Sequence, residues 1–156
     1  DGVINKEIGY LLKYNRFIFL KGVEKGIKYL NQNNYLAIII TNQAAVGKSL
    51  LKEKDLYNIH NKMKKKLWVF NKSYIDDIYY SPYYKYAKNK KYRLKKNDRK
   101  PGNGMLLKAI NKWNIDIKNS KFIGDKNSDK LASKKTKIKL YFKKNISLYK
   151  QITKII

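Results

Sequence analysis

The apolar positions along the chain alternate between two spacings. In GVEKGIKYLNQNNY (22–35), Val23, Ile27 and Leu30 recur at helical intervals, whereas YLAIIIT (35–41) is a continuous apolar run of the kind found in a strand buried on both faces. KEKDLYNIHNKMKKKLWVF (52–70) places Leu56, Ile59, Met63 and Leu67 on one helical face, and YIDDIYY (74–80) reads as the next strand. Residues 81–103 lack either period and read as an excursion from the sheet. GMLLKAINKW (104–113) is helical again, and SKFIGD (120–125) and KIKLYF (137–142) read as strands. Strands alternating with helices predict an α/β fold with a parallel sheet and crossover helices. In such sheets the chemistry gathers beyond the strand carboxyl ends.

At 156 residues the chain is expected to form one domain, 1–156, large enough for a real core. It has no cysteine, which excludes a disulfide framework and a thiolate metal site. No apolar run reaches the roughly 18 residues needed to span a bilayer and no signal peptide precedes the first strand-like segment, so a cytoplasmic location without a membrane partner is expected.

The net charge of +26 changes the picture less than its size implies. Lysine interleaved with tyrosine in YYSPYYKYAKNKKYRLKK resembles an electrostatic footprint with stacking aromatics. The cations are overwhelmingly lysine, however, and Asn, Ile and Tyr are also abundant; these four residues share A/T-rich codons. Drift of composition inflates them together and spreads charge over every surface, so no specific nucleic-acid partner is expected. Either origin attracts anions, phosphorylated substrates included.

Several residues stand where the chemistry should lie. IIITNQAAVGKSLL (38–51) ends in Gly47-Lys48-Ser49, as a phosphate-binding loop does, but the first glycine of that motif is replaced by Asn42 and the motif is incomplete. What remains is a strand ending in Thr41, Asn42 and Gln43. A second strand ends in Asp125, Arg99 and Lys100 precede a helix, and Asp1-Gly2 opens the sequence. Each alone is an ordinary turn, cap or solvated charge.

Taken in order, Asp1-Gly2-Val3, Thr41-Asn42-Gln43, Arg99-Lys100-Pro101 and Gly124-Asp125-Lys126 with Asp129 resemble the motifs of the haloacid dehalogenase superfamily of phosphohydrolases. The likeness runs from Asp1 to about Phe142 and is strongest toward the heptose 1,7-bisphosphate phosphatase branch, with histidinol-phosphate phosphatases as near relatives. It implies a Rossmann-like parallel sheet and an aspartyl-phosphate intermediate. Asp1 matches the second Asp of the D-x-D-G motif, the acid and base; the attacking Asp would lie two residues ahead of it. The expectation is that the sequence begins inside this motif, with the first strand missing and the chain as given inactive.

The resemblance further implies that Thr41 binds the phosphoryl oxygens and Lys100 offsets their charge. Glu7, Ile8, Gly9, Tyr10, Asn42, Gln43, Ala44, Arg99 and Lys126 would contact a small phosphorylated sugar, while Asp1 and Asp125 would hold Mg²⁺. Asp129 would anchor its loop. Many relatives pin the excursion before Arg-Lys-Pro with zinc; the matching positions are Ser81, Tyr83, Lys96 and Asp98, which cannot form a tetrahedral site, so no zinc is expected. Packing of Tyr79, Tyr80, Tyr83 and Tyr84 would have to hold the loop instead. Gly102-Asn103 replaces the usual residue-Pro pair, and Lys137 stands where glycine is frequent. His60, mid-helix, is not expected to act in catalysis. A monomer is expected. A histidinol-phosphate phosphatase, a nucleic-acid 3′-phosphatase and a non-catalytic basic protein are the alternative readings.

Overall fold

The computed structural model describes residues 1–93 and 97–156. Its elements are α1 (Val23–Gln32), β1 (Ile38–Asn42), α2 (Ala44–Gly47), α3 (Glu53–Asn71), β2 (Asp77–Ser81), α4 (Gly104–Trp113), β3 (Lys121–Gly124), α5 (Asn127–Thr136), β4 (Lys139–Phe142) and α6 (Leu148–Ile152). This is a mixed α/β fold with parallel strands. Among the described residues the strands form two pairs, β1–β2 and β3–β4, instead of one continuous ladder.

The chain divides into two compact units. The first holds residues 1–39, 51–78 and 143–156; the second holds 40–50 and 79–142. In the first, α1 buries Val23 and Ile27, and α3 buries Leu56, Ile59, Met63 and Leu67, the stripe that the helical spacing predicts. Both α3 and α6 pack against α1. Glycine is required at Gly22, whose φ is +79° and whose missing Cβ would lie 2.9 Å from the Ser147 Cβ.

The second unit is organised by the β3–α5–β4 crossover. The parallel register pairs Phe122 with Leu140 and Ile123 with Tyr141, and Leu106, Ala132 and Ile138 form a core against which Ile40, Ile110, Ile117 and Phe122 pack. Helix α5 has no apolar stripe to announce it: its buried residues are Asp129, Ala132, Ser133 and Thr136. It is closed by hydrogen bonds in place of greasy packing. The Ser133 hydroxyl donates to the Ile138 carbonyl, and Thr136 Oγ1 donates to Ser133 O at 3.0 Å. Lys137 then stops the helix in the left-handed conformation at φ +61°, which explains the preference for glycine there.

Backbone bonds help to hold the described parts of the excursion, 81–93 and 97–103. Tyr84 N donates to Tyr92 O at 2.9 Å, and Gly104 N donates to Asn97 O at 2.7 Å. The Tyr84 and Tyr86 rings meet edge to face at 5.7 Å. Of the four positions matching zinc ligands, Ser81 is buried and Asp98 pairs with Lys108 at 3.1 Å, while Lys96 lies outside the described residues.

Candidate active site

The second unit brings the strand-end residues together around one ion pair. Lys100 Nζ lies 2.6 Å from Asp129 Oδ1 and donates to the Ile40 carbonyl of β1 at 2.8 Å. An ammonium has three protons, so these two partners leave one with which to meet an incoming oxyanion. Asn42, at the end of β1, fixes the Lys100 backbone from both sides: its Nδ2 donates to Lys100 O at 3.0 Å, and its Oδ1 accepts from Lys100 N at 3.1 Å. The short-range consequence is a turn whose lysine is aimed by the strand itself. The peptide between Lys100 and Pro101 is cis.

Asp129 is 2 % exposed. Its Oδ2 accepts from the backbone N–H groups of Asp125 at 3.1 Å and Lys126 at 3.0 Å, capping the first turn of α5. Burial works to raise its carboxyl, but the charge and hydrogen bond of Lys100 and the two amides outweigh it and hold the group below the usual carboxylate range. Gly124 is what admits this carboxylate, since a Cβ there would lie 2.5 Å from Asp129 Cβ. With its backbone tied to Asp129, Asp125 presents an exposed carboxylate just past β3.

Thr41 Oγ1 accepts from Gln43 Nε2 at 3.2 Å, which leaves its own proton to donate. Gln43 N in turn donates to Ser81 O at 2.7 Å. Arg99 Nη1 donates to Tyr83 O at 3.3 Å, tying the arginine to the excursion. Ala44 opens α2 and Lys126 is the N-cap of α5. Gly47 ends α2 against the main chain: a Cβ would lie 2.5 Å from Pro82 O. Lys48 lies over the Tyr84 ring at 4.6 Å. The Gly-Lys-Ser sequence therefore answers a packing requirement.

In the first unit, the carboxylate of Asp1 accepts from Asn5 Nδ2 at 2.7 Å. Asn5 is buried and bridges Phe19 as an isolated antiparallel pair, so the acid is oriented by a side chain that is itself fixed. This positioning role of Asn5 carried no signal in the sequence beyond its spacing from Asp1. Glu7 Oε1 accepts from Gly9 N at 3.0 Å, Gly9 takes φ +77°, Ile8 is half-buried and Tyr10 is exposed.

Comparison with known proteins adds the identity of the group. The family model for polynucleotide kinase 3 phosphatase matches residues 5–150. The chain is 33% identical over 129 residues to D-glycero-alpha-D-manno-heptose-1,7-bisphosphate 7-phosphatase of Burkholderia mallei, covering 83% of this chain and 68% of that protein. It is 36% identical over 132 residues to the corresponding Campylobacter jejuni protein, covering 85% and 71%. The beta-anomer enzyme of Haemophilus ducreyi is 33% identical over 142 residues, covering 89% and 76%.

In fold, the chain is similar to the crystal structure of D,D-heptose 1.7-bisphosphate phosphatase from B. bronchiseptica complexed with magnesium and phosphate, with a TM-score of 0.82 at 20% identity over 99% of this chain and 93% of that one. A putative had-like phosphatase from Mesorhizobium loti gives 0.80 at 20% identity over 87% and 65%. The chain belongs to the polynucleotide kinase 3 phosphatase family, and its fold is that of the had-like phosphatases.

Proposed function

We propose that the protein is a phosphomonoester hydrolase that removes the 7-phosphate of D-glycero-D-manno-heptose 1,7-bisphosphate, in the making of lipopolysaccharide core heptose. The observation that carries the reading is the agreement of relatives 31–36% identical across most of the chain, both anomeric forms of this enzyme among them. A cytoplasmic location and a monomeric state belong to the same proposal. Among the described residues no helix is long and apolar enough to cross a membrane.

In this reading the attacking carboxylate occupies the motif position two residues ahead of Asp1. Asp1, oriented by Asn5, gives its proton to the leaving sugar oxygen and then takes one from the water that cleaves the aspartyl phosphate. Thr41 donates its free proton to a phosphoryl oxygen, and the third proton of Lys100 meets the charge that spreads over the equatorial oxygens. Arg99 and Lys126 contact the sugar or its second phosphate, as do Gln43 and Ala44 beside Thr41; Asn42 acts through Lys100. Glu7, Ile8, Gly9 and Tyr10 complete the set of sugar contacts.

The donors present fit Mg²⁺, which takes one or two carboxylates and keeps several waters. Asp125 offers an exposed carboxylate whose backbone is fixed. Among the described residues no group of three or more His, Cys, Asp and Glu side chains gathers at one point, a density that a magnesium ion keeping most of its waters does not need. The bound ion would neutralise phosphoryl charge. The test is phosphate release by protein carrying the complete first motif: it should require Mg²⁺, and Asp125→Asn should lower kcat by orders of magnitude. Undiminished turnover in EDTA would overturn the reading.

A second reading rests on the polynucleotide phosphatase named by the family model and the net charge of +26. Hydrolysis of a 3′-phosphorylated oligonucleotide in preference to the heptose bisphosphate would establish it.

A further inference from the structure

The last turn of α3 ends in three consecutive apolar residues that the core does not take. Trp68 is 51% exposed, Val69 65% and Phe70 67%. Phe70 lies three residues beyond the buried Leu67, one helical turn on, yet stays exposed. The helix outruns the core at that point. Lysine surrounds the three: Lys62, Lys64, Lys65, Lys66 and Lys72 lie between Asn58 and Tyr74, a stretch with no Asp or Glu. Lys66 Nζ lies 5.7 Å from the Phe70 ring centroid and 5.7 Å from that of Phe19, and Lys72 Nζ lies 5.2 Å from that of Trp68. Lys66 and Lys72 therefore carry their ammonium groups over aromatic rings.

We propose that this end of α3 docks on an anionic phospholipid surface, Trp68, Val69 and Phe70 entering the headgroup boundary while the lysines pair with lipid phosphates. The charge selects the occupant. A second copy of this chain, itself at +26, would set lysines against lysines. A partner of neutral surface would leave the cations unanswered. Nucleic acid would answer the charge and stack on Trp68 and Phe70, but it offers nothing apolar to Val69, whereas a bilayer boundary accepts all three. The absence of a spanning-length apolar run, from which no membrane partner was expected, does not bear on a helix that lies along a surface. This inference is independent of the phosphatase reading.

The experiment uses the full chain with Trp113→Phe, so that Trp68 is the sole tryptophan emitter. Vesicles of phosphatidylglycerol and phosphatidylcholine should co-sediment the protein and shift Trp68 emission to the blue, with binding at least tenfold weaker to pure phosphatidylcholine. V69S/F70S, which changes only exposed side chains and keeps every charge, should weaken binding at least tenfold; K64Q/K65Q should also weaken it and make it less dependent on salt than the unsubstituted protein. Three outcomes would overturn the proposal: no blue shift with anionic vesicles, binding unchanged in V69S/F70S, or an oligonucleotide duplex that shifts Trp68 emission and binds more tightly than the vesicles.

Discussion

Removing the charge of Asp129 should destabilise the second unit by more than any exposed substitution in it. The Asp129→Asn variant keeps an oxygen for the amides of Asp125 and Lys126 but leaves Lys100, with a side chain 13% exposed, facing a neutral amide and only the Ile40 carbonyl. Breaking one side of a buried pair costs about 3–5 kcal/mol, and because the two amides stay satisfied the lower end applies, about 3 kcal/mol. For a chain of this length that corresponds to a fall in Tm of about 6–12 °C. Urea melts of Asp129→Asn, Lys100→Met and the double variant measure the coupling, expected to exceed about 1 kcal/mol because the double variant no longer strands a charge. The pH dependence carries the same signature. Since the folded carboxyl lies below its unfolded value near 4, its contribution is complete above about pH 4 and is lost as pH falls through the folded value; Asp129→Asn should flatten that acid limb. A loss under about 1 kcal/mol with additive single effects would refute the pairing as the structural centre of the site.

Three further outcomes are expected. Asn42→Ala removes both bonds to the Lys100 backbone, so in protein with the complete first motif kcat should fall at least about tenfold with KM little changed, checked by steady-state kinetics. Lys137→Gly relieves a left-handed residue at φ +61° and should raise stability by about 1 kcal/mol in urea melts. Burial first, and then nearby positive charge including Lys64, depresses His60 to about 4; its unfolded form takes up a proton near 6.5, so stability should fall as pH drops from 6.5 to 4, by up to about 3 kcal/mol, and His60→Gln should abolish that slope.

Much of this architecture is legible in the sequence, for a reason that also explains the gaps. Helices α1, α3 and α4 and the four strands announce themselves through apolar residues at the right period, because burial against a core is what fixes them. Helix α5 does not. Its inward positions are Asp129, Ala132, Ser133 and Thr136, and its one large apolar residue, Leu131, faces outward. Helices α2 and α6 are too short to show a period. The proposed site residues are read from motif order, but the Lys100–Asp129 pair and the two-sided grip of Asn42 on Lys100 join segments far apart in the chain. Nothing local in the sequence signals a pairing of that kind. Gly124 shows the same limit: its role is set by the carboxylate of Asp129 pressed against it.

The central claim is that the proposed site is shaped for a small sugar bisphosphate. The most direct test is kcat/KM, measured side by side at about 0.15 M salt on protein carrying the complete first motif, for the heptose 1,7-bisphosphate, histidinol phosphate and a 3′-phosphorylated oligonucleotide. The heptose bisphosphate should exceed both others at least tenfold, a gap of about 1.4 kcal/mol in transition-state binding. An oligonucleotide that proved the best substrate would contradict the account and move the contact surface to the lysine- and tyrosine-rich excursion that follows β2.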